Sequence, residues 1–207
     1  MSDVGRPAEP GPDGRLRCPW ALRTPEYLGY HDHEWGRPVR SDQGIFERLC
    51  LEGFQSGLSW LTILRKRENF RAAFAGFDLA TVAGFGPADV ARLLADSGII
   101  RNRAKIEAVI RNAAAALAVP AGIAALVWSY ASEPAARPPA PVTMADMPSA
   151  TPASTALAKD LRHRGFSFTG PVTVYATFQA CGVVNDHLAG CFARDIPGPA
   201  LAPPGQS

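Results

Sequence analysis

A chain of 207 residues that is 47% hydrophobic is long enough to bury one sizeable core. Its formal net charge of +2 excludes a global basic excess, so affinity for nucleic acid has to come from a local patch. No stretch is apolar enough to span a membrane, since even 113–127 is broken by Pro120 and Gly122. Residues 1–17, with Gly5, Pro7, Pro10, Gly11, Pro12 and Gly14, hold no run like a secretory signal, so a soluble cytoplasmic protein is expected.

Apolar residues recur at three and four residue spacing between turn signals, which predicts an all-α chain. Residues 1–17 read as a disordered extension, 18–192 as the folded domain and 193–207 as a disordered tail rich in proline, glycine and alanine. Thr24-Pro25-Glu26 supplies a cap, a proline at the first helical position and an acid in the first turn. Ser41 caps a second helix that turns Ile45 and Leu49 inward and stops near Gly57, and Ser59 caps a third running through Trp60 and Ile63 toward Phe74. Gly86-Pro87 opens a helix carrying Val90, Leu93 and Leu94, and 102–118 forms another, with Ile106, Val109, Ile110 and Leu117 on one side. The stretch 134–141 reads as a proline-rich connector, and 151–164 and 172–181 return to helical periodicity. Val172 to Tyr175 is the one run of strand-like composition, but its proline prefix and helical sequel favour a buried helix.

Four residues at opposite ends of the chain have metal-ligand chemistry: Cys18 and His31 near the start, His187 and Cys191 near the end. A spacing of four would put His187 and Cys191 on one face of a helix, and two thiolates with two imidazoles complete a tetrahedron, the closed arrangement of a structural zinc. The same residues are compatible with a Cys18–Cys191 disulfide or with buried thiols beside ordinarily hydrogen-bonded histidines. Cys50 and Cys181 sit among apolar neighbours and read as core; His163, between Arg162 and Arg164, reads as a solvated helix residue.

The segment 94–106 is a helix, a glycine-containing turn and a second helix with a basic opening. In such a hairpin the turn amides and the unpaired N–H groups of the second helix face a phosphate, with Gly98, Ile99, Ile100, Arg101, Arg103 and Lys105 as candidate DNA contacts. An ordinary turn with solvated arginines has the same sequence. Arg65-Lys66-Arg67 adds a second basic cluster.

Between Tyr27 and Trp60 the chain is dense in aromatic and polar groups, and Glu52 interrupts an apolar helical stretch. A buried carboxylate is costly unless it is paired or hydrogen-bonded. Gly53 and Gly57 flank it, allowing close approach to the backbone. The carboxyl can serve the core while Trp20, Trp35 and Trp60 fill volume, or acid and rings together can box a flat cationic ring with N–H donors, such as an alkylated purine.

The strings Cys18-Pro19-Trp20, Tyr30-His31-Asp32-His33-Glu34-Trp35-Gly36, the run 51–60, the run 98–106 and the run 184–191 together resemble the DNA-3-methyladenine glycosylase I family, in order and in register from about Cys18 to Cys191. The resemblance implies the helix-hairpin-helix glycosylase fold, one structural zinc per chain on Cys18, His31, His187 and Cys191, and removal of 3-methyladenine from DNA. Glu52 matches the family's base-recognition carboxylate and is expected to be ionised; Trp20 and Trp60 match its aromatic walls, and Tyr27, Tyr30 and Trp35 further pocket residues. The expected enzyme is a monomeric, monofunctional hydrolase acting on double-stranded DNA with alkylated bases. It takes the base out of the stack, a step costing a few kcal/mol, and leaves an abasic site. The competing readings are a damage-binding hairpin module without catalysis and a zinc hydrolase; the latter needs an open metal position that four protein ligands do not leave.

Overall fold

The computed structural model describes residues 4–133 and 138–196. The nine α-helices among them are α1 (Pro25–His33), α2 (Asp42–Gln55), α3 (Trp60–Ala73), α4 (Leu79–Ala83), α5 (Pro87–Ala95), α6 (Arg103–Leu117), α7 (Gly122–Trp128), α8 (Pro152–His163) and α9 (Pro171–Ala180). Local chemistry sets most of the starts. The side chains of Thr24, Ser41, Ser59, Asn102 and Thr151 each accept a hydrogen bond from the backbone N–H three residues on, at 3.1–3.3 Å. Each removes one of the orphan donors of a helix end.

Helix α2 runs through the centre and packs against α3, α6, α7 and α9. It buries Ile45, Phe46, Leu49, Cys50, Leu51 and Phe54. Phe54, Phe70, Phe74 and Phe77 form a chain of neighbouring rings with centroids 4.6–6.3 Å apart, which fixes how α3 lies on α2. Cys50 and Cys181 are buried in the same core, and His163 is an exposed residue at the end of α8. The strand-like run at Val172 is helical, as part of α9.

Several sequence expectations change. Helices α4 and α7 were not foreseen. Asp78 caps α4 through Thr81 N–H at 2.8 Å, whereas α7 takes its cap from another helix, Asp42 Oδ1 of α2 accepting from Ala124 N–H at 2.7 Å. The segment ahead of Cys18 is organised where it is described: Glu9–Pro10 pairs antiparallel with Leu16–Arg17, and Arg17 is buried against Asp32 at 2.8 Å. His187 and Cys191 lie on an irregular turn after α9, not on a helix. Phe192–Asp195 forms a single 3-10 turn; the tail from 197 and half of the expected connector, 134–137, lie outside the described residues. No single helix among the described residues is long and apolar enough to cross a membrane.

Candidate active site and candidate metal centre

Two neighbouring features are built from the N-terminal and C-terminal thirds of the chain. The first is a cavity of about 290 Å³. Trp20 comes from the 3-10 turn Pro19–Arg23, Tyr27 and Tyr30 from α1, Trp35 from the turn after it, Glu52 from α2 and Trp60 from the first position of α3; all six line the cavity. Trp20 meets Trp35 edge to face with centroids 5.1 Å apart and Tyr27 at 5.7 Å, while Tyr30 lies 5.4 Å from Trp60. The Tyr27 hydroxyl accepts from Leu61 N–H at 3.0 Å, which binds α1 to the start of α3.

Glu52 is 7% exposed, and no hydrogen bond or ion pair reaches its carboxyl among the described residues. Burial alone pushes its pKa up to about 8, which favours the neutral acid over the ionised group expected from the sequence. The hydroxyl of buried Tyr30 is held far above its ordinary range, first by burial and then by Glu52. No lysine among the described residues lines the cavity.

Residues the sequence did not single out complete the wall: Arg23, Gln55, Met144, Met147, Ala176 and Gln179. Gln179 is fixed by its Nε2–H, which donates to Asp186 at 2.8 Å; the Tyr175 hydroxyl shares that acceptor. The two methionines bracket a 3-10 turn, Met144–Asp146, that packs on the buried cysteines. Gly53 meets the chain's own Phe168 carbonyl, and Gly57 adopts φ +83° with open space beside it.

The second feature is the buried quartet Cys18, His31, His187 and Cys191, whose ligand atoms all lie within 4.8 Å of one another. His31 Nε2 is 3.2 Å from His187 Nδ1 and 3.4 Å from Cys191 Sγ; His187 Nδ1 is 3.6 Å from Cys191 Sγ and 3.9 Å from Cys18 Sγ. Metal bonds of about 2.3 Å to sulfur and about 2.0 Å to nitrogen give tetrahedral edges near these values. The ring nitrogens carry the same message. His31 Nδ1 faces Asp32 Oδ1 at 2.8 Å and His187 Nε2 faces the Trp35 carbonyl at 3.1 Å, so each imidazole donates outward and turns a lone pair toward the other. Two lone pairs 3.2 Å apart repel unless a cation lies between them, and oxygen acceptors behind metal-bound imidazoles are the usual arrangement. Leu188 N–H donates to Cys18 Sγ at 3.4 Å, and Arg17 holds Asp32 in place. All four cysteines are free, so the quartet is not a disulfide.

Gly36 and Gly182 make this packing possible. Gly36 has φ +76°, and a Cβ there would lie 2.8 Å from His187 Nε2; Gly182 has φ +70°, and a Cβ would meet the backbone of 36–38 at 2.7 Å. The two features share walls: Trp20 lies edge-on to His31 at 5.3 Å, and Trp35 to His187 at 4.7 Å.

The hairpin 96–102 joins α5 to α6, but its chemistry differs from the sequence expectation. Arg101 and Arg103 are exposed, while Ile99 is buried and the Gly98 amide donates to Asp96 Oδ1 at 2.7 Å. Lys105 is buried, and its ammonium donates to the carbonyls of Phe54 and Ser56, so it does not face outward as a phosphate contact. The second basic cluster is likewise engaged within the fold: Arg65 with Glu26, Arg67 with both oxygens of Glu34, and Lys66 with the carbonyls of Ser97 and Gly98.

Residues 20–194 match the family model described as methyladenine glycosylase. The chain is 47% identical over 178 residues to DNA-3-methyladenine glycosylase 1 of Escherichia coli (strain K12), covering 84% of this chain and 95% of that protein. A crystal structure of 3-methyladenine DNA glycosylase I superposes with a TM-score of 0.81 at 48% identity, covering 85% of this chain and 98% of the other. The Staphylococcus aureus enzyme, whose structure addresses 3-methyladenine recognition, gives a TM-score of 0.82 at 34% identity, covering 88% and 98%.

Proposed function

The chain belongs to the methyladenine glycosylase family, and from that premise we infer that it is a base-excision repair glycosylase releasing 3-methyladenine from alkylated DNA. The observation that carries the site assignment is Glu52, a carboxyl buried without a partner among aromatic rings in a cavity large enough for a purine. A module that only bound damaged DNA would have no use for so costly a group.

We propose the following roles. Double-stranded DNA carrying an alkylated base is the partner, a single copy of the chain binds it, and the lesion turns out of the stack into the cavity. Trp20, Tyr27, Tyr30, Trp35 and Trp60 receive the ring, and Glu52 meets its charged, N–H-bearing edge. N3-methylation makes the adenine cationic, so the purine leaves as a neutral molecule and needs little acid catalysis. With a pKa of about 8, ionising Glu52 at pH 7 costs about one unit, ~1.4 kcal/mol, whereas a cation ~4 Å away at an effective dielectric of ~20 returns about 4 kcal/mol. The cation wins. Normal adenine brings no charge, so nothing repays the ionisation of Glu52 and the charge mismatch remains. Selectivity then combines this mismatch with the weak glycosidic bond of the lesion. Water attacks the sugar and an abasic site remains. The absence of lysine from the cavity wall supports hydrolysis without a Schiff base.

For the quartet we propose a structural zinc on Cys18, His31, His187 and Cys191: two thiolates and two imidazoles fill a tetrahedron and leave no open position for chemistry. In the hairpin, the amides at the start of α6 with Arg101 and Arg103 are proposed to hold the backbone phosphate. The test is to incubate the protein with methylated duplex DNA and identify the free bases released. 3-Methyladenine is expected in the supernatant, and its absence overturns the assignment.

A further inference from the structure

We propose that Lys105 is a positioning residue for base excision: with Lys66 as a second tie, it holds the DNA-facing hairpin at a fixed distance from the base cavity. Lys105, in the first turn of α6, is 8% exposed and donates from Nζ to Phe54 O at 2.9 Å and Ser56 O at 2.6 Å. These carbonyls end α2 and lie among those that a helix terminus leaves without internal partners. Glu52 stands two residues before the first of them, and Gln55, between them, lines the cavity. On the other side Lys66 of α3 donates to Ser97 O at 2.9 Å and Gly98 O at 3.2 Å, and Asn69 adds a bond to Gly98 O at 3.3 Å. Helix α3 begins at Trp60, another wall of the cavity. The hairpin is therefore tied separately to the helix carrying Glu52 and to the helix carrying Trp60.

The inference rests on the glycosylase reading, in which one nucleotide is gripped in two places, its phosphate at the hairpin and its base in the cavity. The separation of the two grips then decides whether the flipped base reaches Glu52, and misplacement by about 1 Å can cost roughly 10²-fold in rate. The ammonium also offsets the partial negative charge at the end of α2, which would otherwise stand beside an incoming phosphate.

Lys105→Met and Lys66→Met test this with three measurements: single-turnover excision from methylated duplex, binding of free 3-methyladenine followed by tryptophan fluorescence, and affinity for undamaged duplex across a salt series. Each variant is expected to excise about 10- to 100-fold more slowly, with free-base affinity, duplex affinity and salt slope within about twofold of the parent. Excision at the parental rate overturns the proposal while leaving the glycosylase reading intact. A salt slope reduced by about one makes the lysine a phosphate contact and overturns it too. Loss of free-base binding in step with excision marks a general support of the fold, again against the proposal. If Lys105→Met does not fold, the more exposed Lys66→Met carries the same comparison. A parental protein that releases no base removes both the proposal and the reading beneath it.

Discussion

At the scale of the residue, Glu52 links stability to chemistry. Its carboxyl titrates near the ordinary value of 4.5 in the unfolded chain and near 8 in the folded one. Between those values the folded state binds more protons than the unfolded state, so stability is greatest below pH 4.5 as far as this group is concerned and falls as pH rises through 8. The full span is on the order of 5 kcal/mol. Glu52→Gln, which cannot ionise, is expected to lose that dependence: its melting temperature between pH 5 and 8 should stay level where the parent's declines, and parallel curves would exclude a buried neutral acid. The same variant should lower kcat/KM for excision. In the parent kcat/KM should climb with pH toward about 8, because this ratio reports the free enzyme's groups and only the ionised form attracts a cation. The sequence made the position legible, since an acid in an apolar helical run stands out. It did not reveal the protonation state, which depends on how completely α2 is surrounded.

At the scale of the element, what could be read in advance was what is local. Thr24, Ser41 and Ser59 cap the helices that their spacing predicts because a cap and its target lie three residues apart. Helix α7 escaped because its cap, Asp42, is 82 residues away in sequence. The same limit applies to Lys105: a basic residue in the first turn of a helix reads alike whether it points to solvent or to a neighbouring carbonyl. Met144, Met147 and Gln179 were missed in the cavity wall for that reason, since nothing near them in the chain signals a pocket. The turn carrying His187 is an element of another kind, irregular and held by close backbone contacts rather than by a periodic face. Gly36, in the turn after α1, packs directly against it. Gly36→Ala is expected to be strained by its positive φ and to drive a methyl into His187 Nε2, displacing the ring. Measured by metal content, it should bind less than one equivalent of zinc while its far-UV spectrum stays helical; stoichiometric zinc would show that the turn adapts.

At the scale of the whole molecule, the quartet closes the chain on itself. Cys18 and His187 are 169 residues apart, and a crosslink over such a loop removes about 5 kcal/mol of unfolded-state entropy, by the relation used for disulfides. A zinc held there would therefore act chiefly on stability, yet it stands directly behind Trp20 and Trp35, whose rings rest on His31 and His187. Closing the chain and setting the cavity walls become one event. Cys191→Ser, or stripping the parent with a chelator, is accordingly expected to lower the melting temperature by roughly 10 °C or more for a protein of this size. Below that lowered midpoint, free-base affinity should weaken several-fold as the two indoles lose their backing. Excision per bound base should change far less, because no ligand position is left open for chemistry. Melting curves, base titration and single-turnover rates on the same preparation separate these effects. A full loss of excision in protein that is still folded and still binds base would place the metal in the reaction itself.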